Sequence, residues 1–345
     1  LTQTLLTPEA VAAYVASRLP AARDVRVEGL SQIPGGASRQ TYRFRLRYEG
    51  EGGPVDSKLI LRRDPPASLI DTERRVEYAA YHAFQAVPGV PVPRMLWLEN
   101  DPAPLDGAFF IAEEISGFES GPMAILAEPY LSQAQRLADR KWTILGEINR
   151  ADPQALGLTE VMAAPAPDQC WRRELDHWEG IIDEDELEPQ PIIRAAIRWL
   201  RARPPRPAQT ISVVHGDYRT GNFLYDAQGE IHGILDWEMC HLGDPLEDLG
   251  WGLNRIWCWG GDERRGGLVP RDQAIAIWER AAGLTADPAD LHWWELFNCV
   301  KGQGIWISSA KAWNDGTNRE PILAFSAWRM LNTQDRAALE LMERL

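Results

Sequence analysis

The sequence predicts an α+β fold of two unequal units, a small antiparallel sheet with one inserted helix followed by a larger, mainly helical unit. Three observations carry this expectation. At 345 residues the chain is longer than one typical core supports. Strand-type alternation is concentrated before Gly117. After it come long segments with apolar residues at three- and four-residue spacing, the mark of helices facing a core.

The N-terminal stretch "LTQTLLTPEAVAAYVASRLP" reads as an amphipathic helix with Thr7 as N-cap and Pro8 at its first position. Between residues 25 and 63 the pattern turns strand-like: "VRVEGL", "SQIPGGAS", "TYRFRLRYEG" and "SKLILRR". "TYRFRLRY" puts Tyr42, Phe44, Leu46 and Tyr48 on one face and Arg43, Arg45 and Arg47 on the other, as a half-buried antiparallel strand does. "PGGAS" is a hairpin tip whose bare backbone can approach a ligand. "DTERRVEYAAYHAFQAV" reads as a helix inserted after the third strand, and "PVPRMLWLEN" and "AFFIAEEISG" return to strand.

Beyond Gly117 the helical segments are "LSQAQRLADRKWTILGEINRADP", "CWRRELDHWEGII", "PIIRAAIRWLRAR", "RDQAIAIWERAAG", "LHWWELFNCVKGQGIWISSAKAW" and the C-terminal stretch. "RARPPRPAQT" stops one of them before the strand "ISVVHG". The acidic run "IIDEDELEP" at 181–189 reads as a solvated loop or a helix start.

Composition narrows the function. No stretch approaches the roughly 18 apolar residues of a membrane helix, and the N-terminus lacks a basic region followed by an apolar run, so a cytoplasmic location without membrane contact is expected. Cys170, Cys240, Cys258 and Cys299 show neither zinc spacing nor a disulfide framework and read as buried free thiols. The net charge of -14 argues against a nucleic-acid partner. Residues 1–113 hold 13 Lys/Arg against 14 Asp/Glu, whereas the rest holds 23 against 36. The acidity therefore lies in the second unit.

The chemistry concentrates in "HGDYRTGNFLYDAQGEIHGILDWE". Two strand-like runs flank "AQG", a hairpin signal, and symmetry about Gly229 would set Asn222 opposite Asp236 at the open end, beside His215, Gly216 and Asp217. Two carboxylates and an amide oxygen then converge. Magnesium prefers such oxygen donors, so Asn222 and Asp236 are the expected metal ligands. Asp217 is left to accept a proton from a substrate hydroxyl, the base role in phosphoryl transfer.

The stretch "HGDYRTGNFLYD...GILDWEMCHLGDPLEDLGW" resembles the aminoglycoside phosphotransferase and choline kinase superfamily, whose fold is similar to that of protein kinases. "LILRRDPP", "GGAS" and "LDWE...LGDPLEDL" look most like the branch related to the kinase-like domains fused to acyl-CoA dehydrogenases. The resemblance implies a bilobal enzyme using ATP and Mg2+, with an N-terminal nucleotide-binding lobe at 1–113, a hinge at 114–118 and a C-terminal catalytic and acceptor-binding lobe at 119–345.

Carried over residue by residue, Asp217 matches the base, Asn222 the second metal ligand and Asp236 the metal-binding aspartate. His215 joins them as a brace for the loop, and Asp244, Pro245 and Asp248 match a structural element of the family. Gly35, Gly36, Ala37 and Ser38 fall in the nucleotide loop, which is neither a Walker A nor a full GxGxxG. Arg62 stands where a phosphate-gripping lysine is usual, with Lys58 on the same face. Glu77 fits best as its partner on the inserted helix, with Glu73 as competitor. Backbone groups of Glu113, Glu114 and Ile115 would read the adenine edge, and Asn149 replaces a common histidine at a position that touches packing.

The acceptor is a small molecule with a hydroxyl group. The acidic second unit favours a cationic one, aminoglycoside- or choline-like. The branch resemblance favours a hydroxyacyl thioester, and Arg62 leaves open a nucleotide-binding pseudokinase without turnover. Of fifteen tryptophans, Trp251, Trp257 and Trp259 follow the metal loop and either line the acceptor pocket or pack the core.

Overall fold

The chain enters its first unit through α1 (Pro8–Arg18). Thr7 Oγ1 accepts the Ala10 amide at 3.2 Å, and Pro8 occupies the first turn, where an amide is not needed. The computed structural model describes residues 6–33, 39–64, 74–260 and 263–343. Next come β1 (Arg23–Ile33), β2 (Gln40–Gly50), β3 (Gly53–Arg63), α2 (Arg74–Phe84), β4 (Met95–Glu99) and β5 (Phe109–Glu113). The five strands form one antiparallel sheet in the order β1-β2-β3-β5-β4. "VRVEGL" and "SQI", separate in the sequence reading, are one strand: Gly29, at φ 63, lets a bulge form between Glu28 and Ser31.

Alternation gives this sheet two apolar faces. Tyr42, Phe44 and Leu46 join Leu59, Leu61, Phe109 and Ile111 in a cluster closed by Val11 and Val15 of α1. Phe110 and Ala112, one residue out of phase, turn the other way and join the core of the second unit with α2. That helix is the junction: Phe84 and Tyr81 pack on Trp237, with ring centroids 4.7 and 6.2 Å apart. Burying a side chain of Phe84's size stabilises by roughly 1.5–3 kcal/mol, enough to fix α2 to the segment around Trp237 rather than to its own sheet alone.

The second unit runs through α3 (Ala134–Arg150), α4 (Cys170–Asp185), α5 (Pro191–Ala202), β6 (Ser212–Val214), β7 (Phe223–Tyr225), β8 (Ile231–Ile234), β9 (His241–Gly243), α6 (Leu246–Leu253), α7 (Arg271–Ala282), α8 (Pro288–Asp315) and α9 (Pro321–Glu343). β6 pairs with β9 and β7 with β8, each antiparallel. Around them Trp142, Trp278, Trp293 and Trp294 are buried, so core packing accounts for these four. Glu119 and Tyr225 exchange backbone hydrogen bonds of 2.9 Å, which fastens the segment after β5 to the β7–β8 hairpin.

The acidic run ends a helix instead of starting one. α4 continues through Asp185, and Arg194 pairs with Asp183 at 2.5 Å and Glu186 at 2.9 Å, offsetting carboxylates that a helix C-terminus disfavours. Asn149 is buried, donating to Val213 O and accepting Trp278 Nε1 at 2.8 Å, a packing link between α3, β6 and α7. All four cysteines are free, and Cys258 alone among them is half-exposed. Among the described residues no helix is long and apolar enough to cross a membrane.

Candidate active site

β6 delivers the chain to His215, and α6 receives it. The Asp248 carboxylate accepts the backbone amides of His215 at 2.6 Å and Gly216 at 3.0 Å, so two buried donors that leave the strand unpaired are satisfied from one side chain. Gly216 sits at φ 86, and a Cβ there would lie 2.4 Å from Met239 O. Only glycine fits this bend.

The geometry commits both nitrogens of His215. Nδ1 accepts the Asp217 amide at 3.1 Å, which leaves the proton on Nε2 to donate to Leu235 O at 3.0 Å. Burial pushes its pKa down to about 4, so the ring is neutral near neutral pH. It braces the loop and has no nitrogen free for proton transfer.

Asp217 follows on that brace. Its Oδ1 accepts Trp251 Nε1 at 2.7 Å, its Oδ2 accepts Asn222 Nδ2 at 2.6 Å, and Arg219 Nε lies 3.1 Å from both oxygens. Asn222 Nδ2 also donates to Asp217 O at 2.9 Å, so its amide oxygen is turned away from these bonds and fits a cation. Arg219 in turn lies over the Trp257 ring, 4.8 Å from its centroid. Trp251, Trp257 and Arg219 thus support the carboxylate. Arg219 and the use of Trp251 were missed from sequence; the signal within reach was the helical spacing of Asp248 and Trp251, three residues apart on one face.

The hairpin register corrects the symmetric expectation. Phe223 pairs with Ile234, and Leu235 N donates to Asn222 O at 2.8 Å, so Asn222 faces Leu235 and Asp236 lies one residue beyond. The cause is a shift between Leu224 and Tyr225. Asp226 Oδ1 accepts the amides of Gln228 and Glu230 and closes a turn one residue off the Gly229 midpoint. Asp236 then adopts φ 68, a left-handed conformation held by its amide's 2.8 Å bond to Tyr81 Oη.

Arg62 joins the units. Its guanidinium pairs with Glu77 of α2, reaches Asp236 Oδ1 at 3.1 Å and Glu238 at 3.3 Å. Burial pushes the Asp236 carboxyl up, yet the Arg62 charge outweighs it and holds the carboxyl below its usual range. Glu77 is wholly buried and also pairs with Arg39 at 3.0 Å. Lys58 instead donates to Ser116 Oγ at 3.3 Å at the surface. Glu73 and the loop residues Gly35, Gly36, Ala37 and Ser38 lie outside the described residues.

A cleft of about 380 Å³ collects most of these groups: Arg62, Asn222 and Asp236 line it with Glu113, Glu114 and Ile115. The amides of Glu113 and Glu114 already donate to Arg94 O and Lys58 O, both at 2.9 Å. The donor set at Asn222 and Asp236, an amide oxygen and a carboxylate, fits a hard cation such as Mg2+. A second cleft of about 370 Å³ lies past Glu238, bounded by Trp178, His241 and Lys301. There Glu174, His241 and Glu247 offer ligand atoms within 4.8 Å of one another, but Lys301 Nζ holds Glu247 at 2.9 Å and the carboxylates keep His241 protonated. This is an ion-pair network rather than a metal site.

Residues 29–284 match the phosphotransferase enzyme family. Mouse acyl-CoA dehydrogenase family member 10 is 29% identical over 224 residues, covering 64% of this chain and 20% of that protein. The chain spans about a fifth to a third of the length of the curated relatives it matches. A solved Ralstonia eutropha structure, described as a candidate aminoglycoside phosphotransferase, is 22% identical with a TM-score of 0.75 and covers 99% of each chain. A thermostable mutant of aminoglycoside phosphotransferase APH(4)-Ia in a ternary complex with ADP and hygromycin B is 16% identical with a TM-score of 0.56, covering 95% of this chain and 98% of that one. The architecture shared with these structures is the protein-kinase-like fold.

Proposed function

Because the chain belongs to the phosphotransferase enzyme family, we propose that it is a Mg-dependent small-molecule kinase moving the γ-phosphate of ATP to a hydroxyl, with Asp217 as base. The observation that carries this reading is the pinned Asp217 carboxylate beside a cleft that holds a cation, Arg62, and a hard-donor pair, Asn222 and Asp236. In this reading residues 1–113 form the nucleotide lobe, 114–118 the hinge and 119–345 the catalytic and acceptor lobe. The APH(4)-Ia complex with ADP and hygromycin B supports a nucleotide and an aminoglycoside-like acceptor, and the acidity of the second unit favours a cationic one, aminoglycoside- or choline-like.

Each residue then has a task. The Ile115 amide and neighbouring carbonyls read the adenine edge, since the Glu113 and Glu114 amides are engaged in the sheet. Arg62, fixed by Glu77, holds phosphate oxygens with its planar fork. Asn222 and Asp236 hold Mg2+, which when bound would neutralise charge on the phosphates. Asp217 accepts the acceptor's hydroxyl proton while His215 and Asp248 keep its backbone in place.

A second reading, a hydroxyacyl-thioester kinase, is supported by the relatives named as acyl-CoA dehydrogenase family members. A pseudokinase that binds nucleotide without turnover is disfavoured by the intact Asp217, Asn222 and Asp236. A panel of hydroxyl acceptors, from aminoglycosides and choline to hydroxyacyl thioesters, assayed for ADP release above the ATP-hydrolysis background separates these readings. Asp217→Asn is expected to abolish acceptor phosphorylation while ATP still raises the melting temperature; undiminished turnover would remove the base assignment.

A further inference from the structure

We propose that Trp251 is a positioning residue for phosphoryl transfer, its indole N–H fixing the plane of the Asp217 carboxylate. The proposal rests on the reading of Asp217 as the base. The terminal torsion of an aspartate is broad and nearly free, so its carboxylate takes a definite plane only where both oxygens are held. Here Trp251 Nε1 holds Oδ1 at 2.7 Å and Asn222 Nδ2 holds Oδ2 at 2.6 Å. Arg219 straddles the two oxygens symmetrically, at 3.1 Å each, and its side chain remains 25% exposed. Arg219 sits on the same loop as the carboxylate it contacts, whereas the indole belongs to another element.

That element is α6, and it grips the catalytic loop twice. Asp248 holds the backbone amides of His215 and Gly216, and Trp251, one helical turn on, holds the side chain of Asp217. Trp251 cannot swing away: it is 1% exposed, packs edge-on against Trp257 with centroids 5.2 Å apart, and has Lys301 Nζ 5.3 Å from its ring centre. Lys301 is tied to Glu247 of the same helix at 2.9 Å. The donor is also neutral. An arginine or lysine in its place would put a second counter-charge beside the proton acceptor in addition to Arg219; an indole orients it and adds none.

Trp251→Phe removes the N–H and keeps an aromatic ring in the site, at the cost of a small cavity where the indole was larger. The measurement is ADP release with Mg-ATP, using the acceptor found in the panel and, separately, water. Expected is a fall in kcat of about 10- to 100-fold with KM for ATP unchanged, as for a reacting group misplaced by a fraction of an ångström. An unchanged kcat in a folded variant would overturn the proposal. A second readout needs no activity: in 15N–1H spectra, the Trp251 indole N–H resonance, sequentially assigned in the parent protein, should shift in Asp217→Asn. A resonance that stays in place overturns the contact. Full turnover by Asp217→Asn would instead refute the base reading, with the spectral contact left standing.

Discussion

Arg62 Nη2 lies 3.1 Å from Oδ1 of Asp236, so the cation on β3 and the carboxylate just past the β7–β8 hairpin are one ion pair across the two units. The same guanidinium neutralises Glu77, whose side chain has no exposure. Arg62→Ala would leave that carboxylate with Arg39 as its remaining ion-pair partner. Breaking a buried pair from one side costs about 3–5 kcal/mol, because the abandoned charge stays desolvated. A large drop in melting temperature is expected, with much weaker stabilisation by ATP. Arg62→Lys should retain most of the stability and lose less phosphate affinity than Arg62→Ala, because an ammonium still pairs with Glu77 and a phosphate but without the bidentate geometry of the planar fork. Equal melting temperatures for Arg62→Ala and the parent protein would show that Arg39 alone suffices for Glu77.

Gly216 gives a sharper backbone test. At φ 86 an alanine is strained by its own backbone, and its Cβ would meet Met239 O at 2.4 Å, a contact that rigid main chain cannot relieve. Gly216→Ala is expected to destabilise by about 2–4 kcal/mol and to displace Asp217, lowering kcat as well. Chemical denaturation with a parallel ADP-release assay measures both, and a loss of kcat without loss of stability would mean that the loop yields locally.

Much of this was legible because the residues concerned act through local pattern. The arginine and aromatic alternation of "TYRFRLRY" dictates one face in and one face out, and β2 follows it. "HGD", the asparagine five residues on and "DWE" mark the loop proposed as catalytic because strand ends and hairpins are set by near neighbours. The register was not legible, since it depends on how the Asp226 side chain closes its turn, and Asn222 consequently faces Leu235. Nor was Trp251: a tryptophan in a buried helix looks the same whether its N–H meets a carbonyl or the Asp217 carboxylate, and only α6 docking on the loop decides between them.

Asp236 carries a conformation that side chains rarely adopt, and Tyr81 is what holds it. The phenol accepts the Asp236 amide at 2.8 Å, and its own ring is anchored between Phe110 and Trp237. Tyr81→Phe removes the acceptor and leaves the packing. A loss of about 1 kcal/mol in stability is expected from the unpaired amide. The more telling effect is a several-fold rise in the Mg2+ concentration needed for half-maximal ADP release, because Asp236 is then free to leave the left-handed conformation. An unchanged Mg2+ requirement would show that Arg62 alone fixes the carboxylate.

His241 makes stability fall on the alkaline side. Burial alone would lower its pKa, but the Glu174 and Glu247 carboxylates outweigh burial and raise it to about 9, against about 6.5 for an unfolded chain. A group whose pKa is raised on folding stabilises fully below the unfolded value, and that contribution fades as pH climbs from about 6.5 through about 9. The contribution at stake is at most roughly 3 kcal/mol. The other groups facing the ring do not cancel it: Lys301 stays charged with its pKa raised by Glu247, and burial keeps His177 neutral. His215 has the opposite sign, since its depressed pKa of about 4 removes stability as pH falls below about 6.5. His241→Gln should therefore flatten the decline between pH 6.5 and 9 while leaving the acid side as it was. Denaturation midpoints for both proteins across that range measure the difference, and parallel curves above pH 6.5 would mean that His241 is uncharged in the fold.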